Sequence, residues 1–167
     1  MQARSPRFPR FPRFLGLALI AVFTPLSQGF ADGTDAIVGQ CVTQEGRARI
    51  EIAEVQGTYG GRIVWLKEPL YPPDDPEAGT PRRDRRNPDP SKRNRPVLGL
   101  RLLGGLRYAG DGKWNGGVIY NVETGKTYRC KATIKDRHTL KLRGYLLLPL
   151  FGKSQTWTRM ADDRGGC

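Results

Sequence analysis

Apolar and polar residues alternate along much of this chain, and a period of two is typical of strands that bury one face. The clearest run is TYRCKATIK at 127–135, in which apolar residues share one face and charged or hydroxyl residues share the other. The segments RARIEI at 47–52 and TLKLRGYLL at 139–147 repeat the pattern. No long window after residue 31 shows a helical stripe. The pattern therefore predicts a β protein.

Glycine-containing pairs lie between these runs and supply the positive φ that hairpin turns need. The turn signals are Glu45-Gly46, Gly60-Gly61, Asp111-Gly112, Asn115-Gly116 and Thr124-Gly125. The strands are predicted near 37–44, 47–55, 61–67, 97–103, 114–121, 126–135, 139–147 and 153–160. Glycines inside strands (Gly99, Gly117 and Gly144) favour a coiled barrel over a sandwich. We predict an all-β fold, a single antiparallel eight-stranded barrel, with an interior that is filled or holds one small ligand.

Prolines concentrate in one part of the chain, with eight of them between Pro69 and Pro96. Because proline lacks the N–H that a sheet ladder needs, residues 67–96 are predicted to form a long irregular insertion between strands 3 and 4. Loops of about 30 residues are usually functional or disordered. Within the insertion, Asn and Asp before proline predict turns at 87–90, and Arg95 is predicted to pair with Asp89.

The first 31 residues have the three parts of a secretory signal peptide. Four arginines precede the apolar run LGLALIAVF at 15–23, and small Gly29 and Ala31 precede the expected cleavage site. That run is shorter than the roughly 20 residues that span a bilayer. We therefore expect a periplasmic or secreted protein that is not transmembrane after cleavage, an uncleaved anchor being the alternative. It would consist of a barrel domain, 32–161, and a flexible tail, 162–167.

Net charge and residue composition add a few limits on the function. The formal net charge of the chain is +12, and it falls to +8 on cleavage because residues 1–31 hold four arginines and no acid. The lone histidine, His138, lies in a predicted turn with no nucleophile beside it, and it leaves too few ligands for a Cys–His zinc site. We predict no catalytic residue, no metal site and no cofactor. The acidic run Asp74–Glu77 could hold calcium, but an exposed loop explains it equally well.

Several segments, taken in order, resemble one bacterial family, DUF2147. They are GRIVWLKEPL (61–70), NPDP and RNRPVLGL within 87–100, DGKWNGGVIY (111–120), ETGKTY (123–128), LRGY (142–145) and QTWTR (155–159). The resemblance runs from about Ile37 to Met160. It implies an exported protein of the bacterial envelope with a lipocalin-like β-barrel, and it implies no catalytic mechanism.

The resemblance also draws attention to the cysteines. Lipocalin-like barrels commonly begin with Gly-x-Trp, and here the match is Gly39-Gln40-Cys41, so that Arg159 would lose its cation–π partner. Export favours one disulfide among the cysteines. We expect Cys41–Cys130 to fill the space of the missing indole. Two buried core thiols and a Cys130–Cys167 bond are the alternatives.

The leading functional hypothesis is a non-enzymatic protein that binds a small or amphiphilic envelope molecule in or at the mouth of the barrel. Trp65, Tyr120 and Tyr128 would supply contact surface, and Lys126 and Arg95 would contact an anionic group. Plain core or rim packing is the alternative for the tryptophan.

The basic run at 82–95 supports a second hypothesis. It holds seven Lys or Arg residues and two Asp, but no aromatic residue on which bases could stack. Export also separates the protein from nucleic acid, so we predict no nucleic-acid partner. The alternative function is an envelope interaction protein with a filled barrel, in which Arg82, Arg83, Arg85 and Arg86 hold a polyanion or a partner protein. A solvated loop is the simplest interpretation of the run.

Overall fold

Eight antiparallel strands close into one barrel in the computed structural model, which describes residues 33–160. The strands are β1 (Gly39–Val42), β2 (Ala48–Val55), β3 (Thr58–Leu66), β4 (Arg101–Tyr108), β5 (Lys113–Asn121), β6 (Lys126–Asp136), β7 (Thr139–Tyr145) and β8 (Lys153–Arg159). Each strand pairs with the next, and β8 pairs with β1 where Arg159 lies opposite Cys41. The prediction of an eight-stranded antiparallel barrel is confirmed.

The predicted signal segment 1–31 and the tail 162–167 lie outside the described residues, as does Cys167. Short 3-10 helices occur at Asp35–Ile37, Pro90–Lys92 and Pro149–Phe151. Across residues 33–160, no helix has the length and apolar character of a membrane span.

Large apolar side chains pack the inside of the barrel. They form one buried cluster that includes Ile50, Ile52, Ile63, Leu103, Leu106, Trp114, Cys130, Leu140, Leu142 and Trp157. A Cβ built on Gly117 would lie only 2.7 Å from Leu106 Cδ2, and one on Gly61 only 2.9 Å from Ile50 Cγ2. Because real contacts of this kind are longer, these positions have no room for even a methyl group. The barrel encloses a packed core at this level.

The N-terminal 3-10 helix seals one end of the barrel. Ile37 is buried in the core cluster, and the Tyr59 hydroxyl donates to Asp35 Oδ1 at 2.7 Å. The rings of Tyr59 and Tyr108 pack against Trp114, with centroids 6.3 and 5.2 Å apart. The aromatic side chains and the helix therefore cover this end.

The connection from β3 to β4, residues 67–100, lies at the opposite end. Its last part returns to the barrel, where Val97 and Leu100 join the core cluster and Leu100 O accepts the Ile63 N–H at 3.0 Å. The predicted fourth strand, 97–103, is therefore placed too early, since β4 begins at Arg101. Gly99 has a φ of +86°, which is incompatible with a continuing strand.

Two glycine pairs that predicted turns lie inside strands. A Cβ on Gly60 would lie 3.0 Å from Leu103 O, so the absence of a side chain lets β4 approach β3 closely. Gly116 has a φ of +76° at a register shift between β5 and β6, as in a β-bulge. The turn between β2 and β3 is formed instead by Gln56 and Gly57, both with positive φ.

Candidate functional site

A buried carboxylate, Asp84, joins the insertion to the barrel wall. Its side chain is fully buried, and Oδ1 accepts the Tyr120 hydroxyl at 2.6 Å. Oδ2 accepts Asn87 Nδ2 at 2.7 Å and the Arg95 guanidinium at 2.8 and 2.9 Å. A buried carboxylate is tolerated when hydrogen bonds and a counter-charge replace its water, and both are present here.

Tyr120 and Arg95, which we predicted as ligand contacts, belong to this cluster. Burial, followed by the hydrogen bond to Asp84, raises the pKa of Tyr120 to about 12. Arg95 pairs with Asp84 rather than with Asp89, so that predicted pair is wrong. Asp89 instead caps the helix at Pro90–Lys92, where Lys92 and then Ser91 lower its pKa to about 2. The polar groups of Tyr120 and Arg95 therefore hold the insertion in place.

The arginines of the basic run are paired with the acidic run that precedes them. Arg83 lies 2.6 Å from Glu77, Arg85 lies 2.6 Å from Asp75, and Arg82 lies 3.2 Å from Glu68. The hydrogen bonds from Arg85 lower the pKa of Asp75. Residues 67–100 hold eight Lys or Arg and six Asp or Glu, a net charge of only +2. The insertion is therefore a folded and largely self-neutralised loop.

Tyr71 supports this folded loop from within. It is buried, its hydroxyl donates to Arg83 O at 3.2 Å and accepts the Arg83 N–H at 3.0 Å, and Arg85 lies 4.3 Å above its ring. A shallow open groove of about 380 Å³ on the insertion is lined by Thr80, Pro81, Arg83, Asn94 and Pro96. The guanidinium of Arg83, the charged residue in this lining, is already bound to Glu77, so the groove offers little charge for a ligand.

The ion pairs of the acidic run also bear on whether it could bind calcium. Arg85 donates to both carboxylate oxygens of Asp75 and Arg83 donates to Oε1 of Glu77, so three of the four oxygens already face a guanidinium group. Within residues 33–160, no group of His, Cys, Asp and Glu side chains is arranged to hold a metal ion.

The predicted Cys41–Cys130 disulfide is not formed, because Cys130 is a free thiol. Strands β7 and β8 separate the strands of the two cysteines. Three strand spacings of about 4.8 Å exceed the Cα separation of roughly 4.4–6.8 Å that a disulfide needs. Burial raises the pKa of Cys130 to about 12, so it behaves as a core residue. Arg159, which lies opposite Cys41, is buried and donates to Val38 O at 3.5 Å.

Trp65 faces outward, although strict alternation from Ile63 predicts an inward side chain. A register shift places Ile63 opposite Ile50 but Trp65 opposite Arg49 on the outer face. The Arg49 guanidinium lies 4.9 Å from the centre of the indole ring, and Trp65 is 38% exposed. The extra residue of this bulge therefore separates Trp65 from the other predicted ligand contacts.

The barrel mouth stays open beside β6 and β8. Lys126 and Tyr128 share the face of β6 that buries Cys130 deeper in the barrel, and Lys126 is exposed while Tyr128 is half-buried. Lys153 and Gln155 share the inward face of β8 and are both exposed. Within the described chain, neither Lys126 nor Lys153 forms an ion pair. The structure thus brings together two of the predicted contacts, Lys126 and Tyr128, and adds two that we did not predict.

The surface between β6 and β8 at this end of the barrel is apolar. Gly144 lies opposite Lys153, and a Cβ built on it would meet Ile119 Cγ2 at 3.6 Å and Tyr128 Cβ at 3.7 Å. Below Lys153 on the same strand, Gln155 Oε1 accepts the Trp157 indole N–H at 3.1 Å. The exposed lysines on the inward faces of β6 and β8 thus lie at one end of the packed core. Lys153 was identifiable only from the β7–β8 register, because no sequence motif marks it.

Comparison with known proteins places this geometry in a family. The family model described as "Uncharacterized protein conserved in bacteria (DUF2147)" matches residues 39–159, from β1 to β8. A solved structure titled "Protein HP1028 from the human pathogen Helicobacter pylori belongs to the lipocalin family" superposes with a TM-score of 0.64. It is 26% identical and the match covers 76% of this chain and 84% of that one. No curated protein matches. Because the matched residues form most of the chain and its whole barrel, the chain belongs to the DUF2147 family.

Proposed function

We propose that this protein is exported and binds a small or amphiphilic envelope molecule with an anionic group at the open half of its barrel mouth. The observation that carries the proposal is the grouping of Lys126, Tyr128 and Lys153 above a packed interior. A lipocalin-like barrel is consistent with small-molecule binding. Since side chains occupy the interior, the ligand contacts the rim and the apolar surface between β6 and β8.

The chemistry of the rim favours an anion. Two ammonium groups attract a carboxylate or a phosphate, and the Tyr128 hydroxyl can donate a hydrogen bond to the same group. Ile119 and the backbone of Gly144 offer an apolar surface beside them. An amphiphile that places its charged group on the rim and its first carbons on this apolar surface would satisfy both.

Export rests on the signal-peptide pattern of residues 1–31 and gives the ligand its class. The periplasm and the cell exterior contain anionic lipids, their fragments and acidic glycans. The alternative role, in which Arg82, Arg83, Arg85 and Arg86 hold a polyanion, has less support. The first three are paired with carboxylates, which leaves Arg86 as the member of the group without an ion pair in the described chain.

Binding is tested by isothermal titration of the protein with dodecyl phosphate, with uncharged dodecyl maltoside as the comparison. We expect saturable binding of the phosphate and a loss of about thirtyfold in affinity for Lys126→Ser/Lys153→Ser, since each charge contact contributes on the order of 1 kcal/mol. The matched control is Arg107→Ser/Lys135→Ser, which removes two exposed charges at the opposite end of the barrel. Equal affinity of the two double variants, or equal binding of both detergents, would contradict the proposal.

Native mass spectrometry of protein purified from its own host supplies a second test. The expected result is a co-purifying anionic molecule that is present on the parent protein and on the control variant but is missing from Lys126→Ser/Lys153→Ser. A ligand that persists on the mouth variant would place its site elsewhere.

A further inference from the structure

The loop between β7 and β8 exposes a cluster of leucines to solvent. The exposed fractions are 64% for Leu146, 85% for Leu147, 59% for Leu148 and 78% for Leu150. Single exposed leucines are common on soluble proteins, but contiguous apolar patches usually mark an interaction site. No other part of the described chain exposes four large aliphatic residues so close together in sequence.

Specific contacts hold this loop in its exposed conformation. The Arg143 guanidinium donates to Pro149 O at 2.6 Å, to Leu150 O at 2.9 Å and to Ser154 Oγ at 3.0 Å. A Cβ on Gly152 would lie 3.0 Å from Tyr145 Cβ, so the loop returns tightly over the end of β7. One arginine thus binds two carbonyls of the turn, of which Pro149 O also accepts the Gly152 N–H, and the leucines point away from the core.

The neighbouring outer face of the barrel is basic. Arg129 lies opposite Tyr145, and Lys131 lies opposite Arg143, on the outer face of β6 and β7. Lys141 follows on the same face of β7. Among residues 33–160, Arg129, Lys131 and Lys141 form no ion pair, whereas Arg82, Arg83, Arg85 and Arg95 of the insertion are paired. We call Arg129, Lys131, Lys141 and Arg143 the basic strip.

We propose that the leucine loop inserts into the interface of an anionic lipid bilayer while the basic strip contacts the lipid headgroups. Leucine side chains gain from leaving water for the acyl boundary, and nearby Lys and Arg are attracted to anionic headgroups. Tyr145, between the loop and the strip, has the amphipathic ring that is common at membrane interfaces. The loop and the strip are separate from the mouth rim, so this inference goes beyond the proposed ligand site.

Charge complementarity argues for a bilayer rather than a second copy of the chain. A symmetric contact through the leucine loops would bring two basic strips together and would be opposed by their repulsion. An anionic surface gains from the same charges.

Vesicle co-sedimentation tests the proposal with the full chain. We expect stronger binding to vesicles of phosphatidylglycerol and phosphatidylcholine than to phosphatidylcholine alone, and a weakening with salt. Leu147→Ser/Leu150→Ser should weaken binding about tenfold or more. The control, Leu70→Ser/Leu98→Ser, removes two leucines of the insertion that are 47% and 49% exposed and should change little. Equal effects of the two double variants, or equal binding to neutral vesicles, would overturn the proposal.

A second double variant tests the contribution of the basic strip to vesicle binding. Lys131→Ser/Lys141→Ser should weaken binding to the anionic vesicles by about fivefold per lysine, since each lysine near such a surface contributes on the order of 1 kcal/mol. Arg143 is left unchanged because it orders the loop. Lys126→Ser, a mouth variant far from the leucine loop along the chain, should bind vesicles as strongly as the parent, which separates failure of this proposal from failure of the proposed ligand site.

A position-specific measurement guards against binding through other segments of the chain. Leu147→Trp and Leu98→Trp each add one indole to the three native tryptophans. Brominated lipid in the anionic vesicles should quench the added emission of Leu147→Trp and spare that of Leu98→Trp. Equal quenching would overturn the proposal. So would a dimer that forms without vesicles and dissociates in Leu147→Ser/Leu150→Ser, because the loop would then bind a second copy.

Discussion

Asp84 illustrates how one residue decides the position of a long insertion. It is the single acid in PRRDRRN, so it reads as a minor interruption in a basic segment. In the fold it is fully buried and bonded to Tyr120, Asn87 and Arg95. These partners come from a strand of the barrel and from the part of the insertion that follows Asp84. The carboxylate therefore fastens the insertion to β5.

Removal of the Tyr120 hydroxyl tests this role. We expect Tyr120→Phe to lower the free energy of unfolding by about 1.5–3 kcal/mol, the range for hydrogen bonds to charged groups, with Asp84 left buried and one bond short. Tyr145→Phe, which removes a hydroxyl outside this cluster, serves as the control in urea denaturation. A loss no larger than that of the control would show that the hydrogen bond contributes little.

The raised pKa of Tyr120 predicts that the stability of the protein depends on pH in the alkaline range. The pKa of Tyr120 is raised to about 12 in the folded protein, above the ordinary value of 10.0, so its contribution to stability is complete below pH 10 and is lost as pH rises towards 12. The free energies of unfolding of the parent and of Tyr120→Phe, measured in urea, should therefore converge as the pH increases from about 10 to 12.

At the scale of elements, strand bulges and loop contacts determine which side chains meet. The bulge in β3 turns Trp65 outward, and the register of β7 with β8 places Lys153 opposite Gly144, next to which Tyr128 lies. The insertion lies against the β5–β6 hairpin, where a Cβ on Gly125 would overlap the Arg86 carbonyl oxygen. Contact between these two segments therefore requires glycine at this turn.

Gly125→Ala should displace the insertion from the hairpin. Gly125 has a φ of +68° and Gly46 has a φ of +67°, but a Cβ on Gly46 meets open space. Gly46→Ala therefore carries the same backbone strain as Gly125→Ala. The difference in stability between the two variants measures the contact between the hairpin and the insertion. We expect Gly125→Ala to lose about 1–3 kcal/mol more, the cost of overpacking, and to be cleaved faster by protease within residues 67–100. Equal stability and equal cleavage would contradict the contact.

For the whole molecule, the packed interior explains why the ligand is placed at the rim. Trp114, Trp157 and Leu106 occupy the axis of the barrel, and glycines on the inward faces make room for them. Such a barrel works as a rigid support for its mouth and loops. The ligand binding and the membrane contact that we propose both use the end that carries Lys126, Lys153 and the leucine loop.

Gly117→Ala tests the packed interior. Its Cβ would lie 2.7 Å from Leu106 Cδ2 and 3.0 Å from Gly104 O, whereas a Cβ on Gly104 meets nothing within 4 Å. We expect Gly117→Ala to lose about 1–3 kcal/mol in urea denaturation and Gly104→Ala to lose clearly less. A stable Gly117→Ala protein would indicate that the interior has space to yield.

By itself, the sequence determined the class of fold and the order of its strands, because alternation and turn residues act over a few neighbouring positions. It also determined that residues 67–96 could not extend the sheet, since proline lacks the N–H. Only the tertiary structure decided that Trp65 faces outward, that four arginines of the insertion are paired, that Cys130 stays a free thiol, and that residues 146–147 leave β7 for an exposed loop. Each depends on a register, a bulge or an ion pair between segments distant along the chain, and local patterns carry no information about those distances.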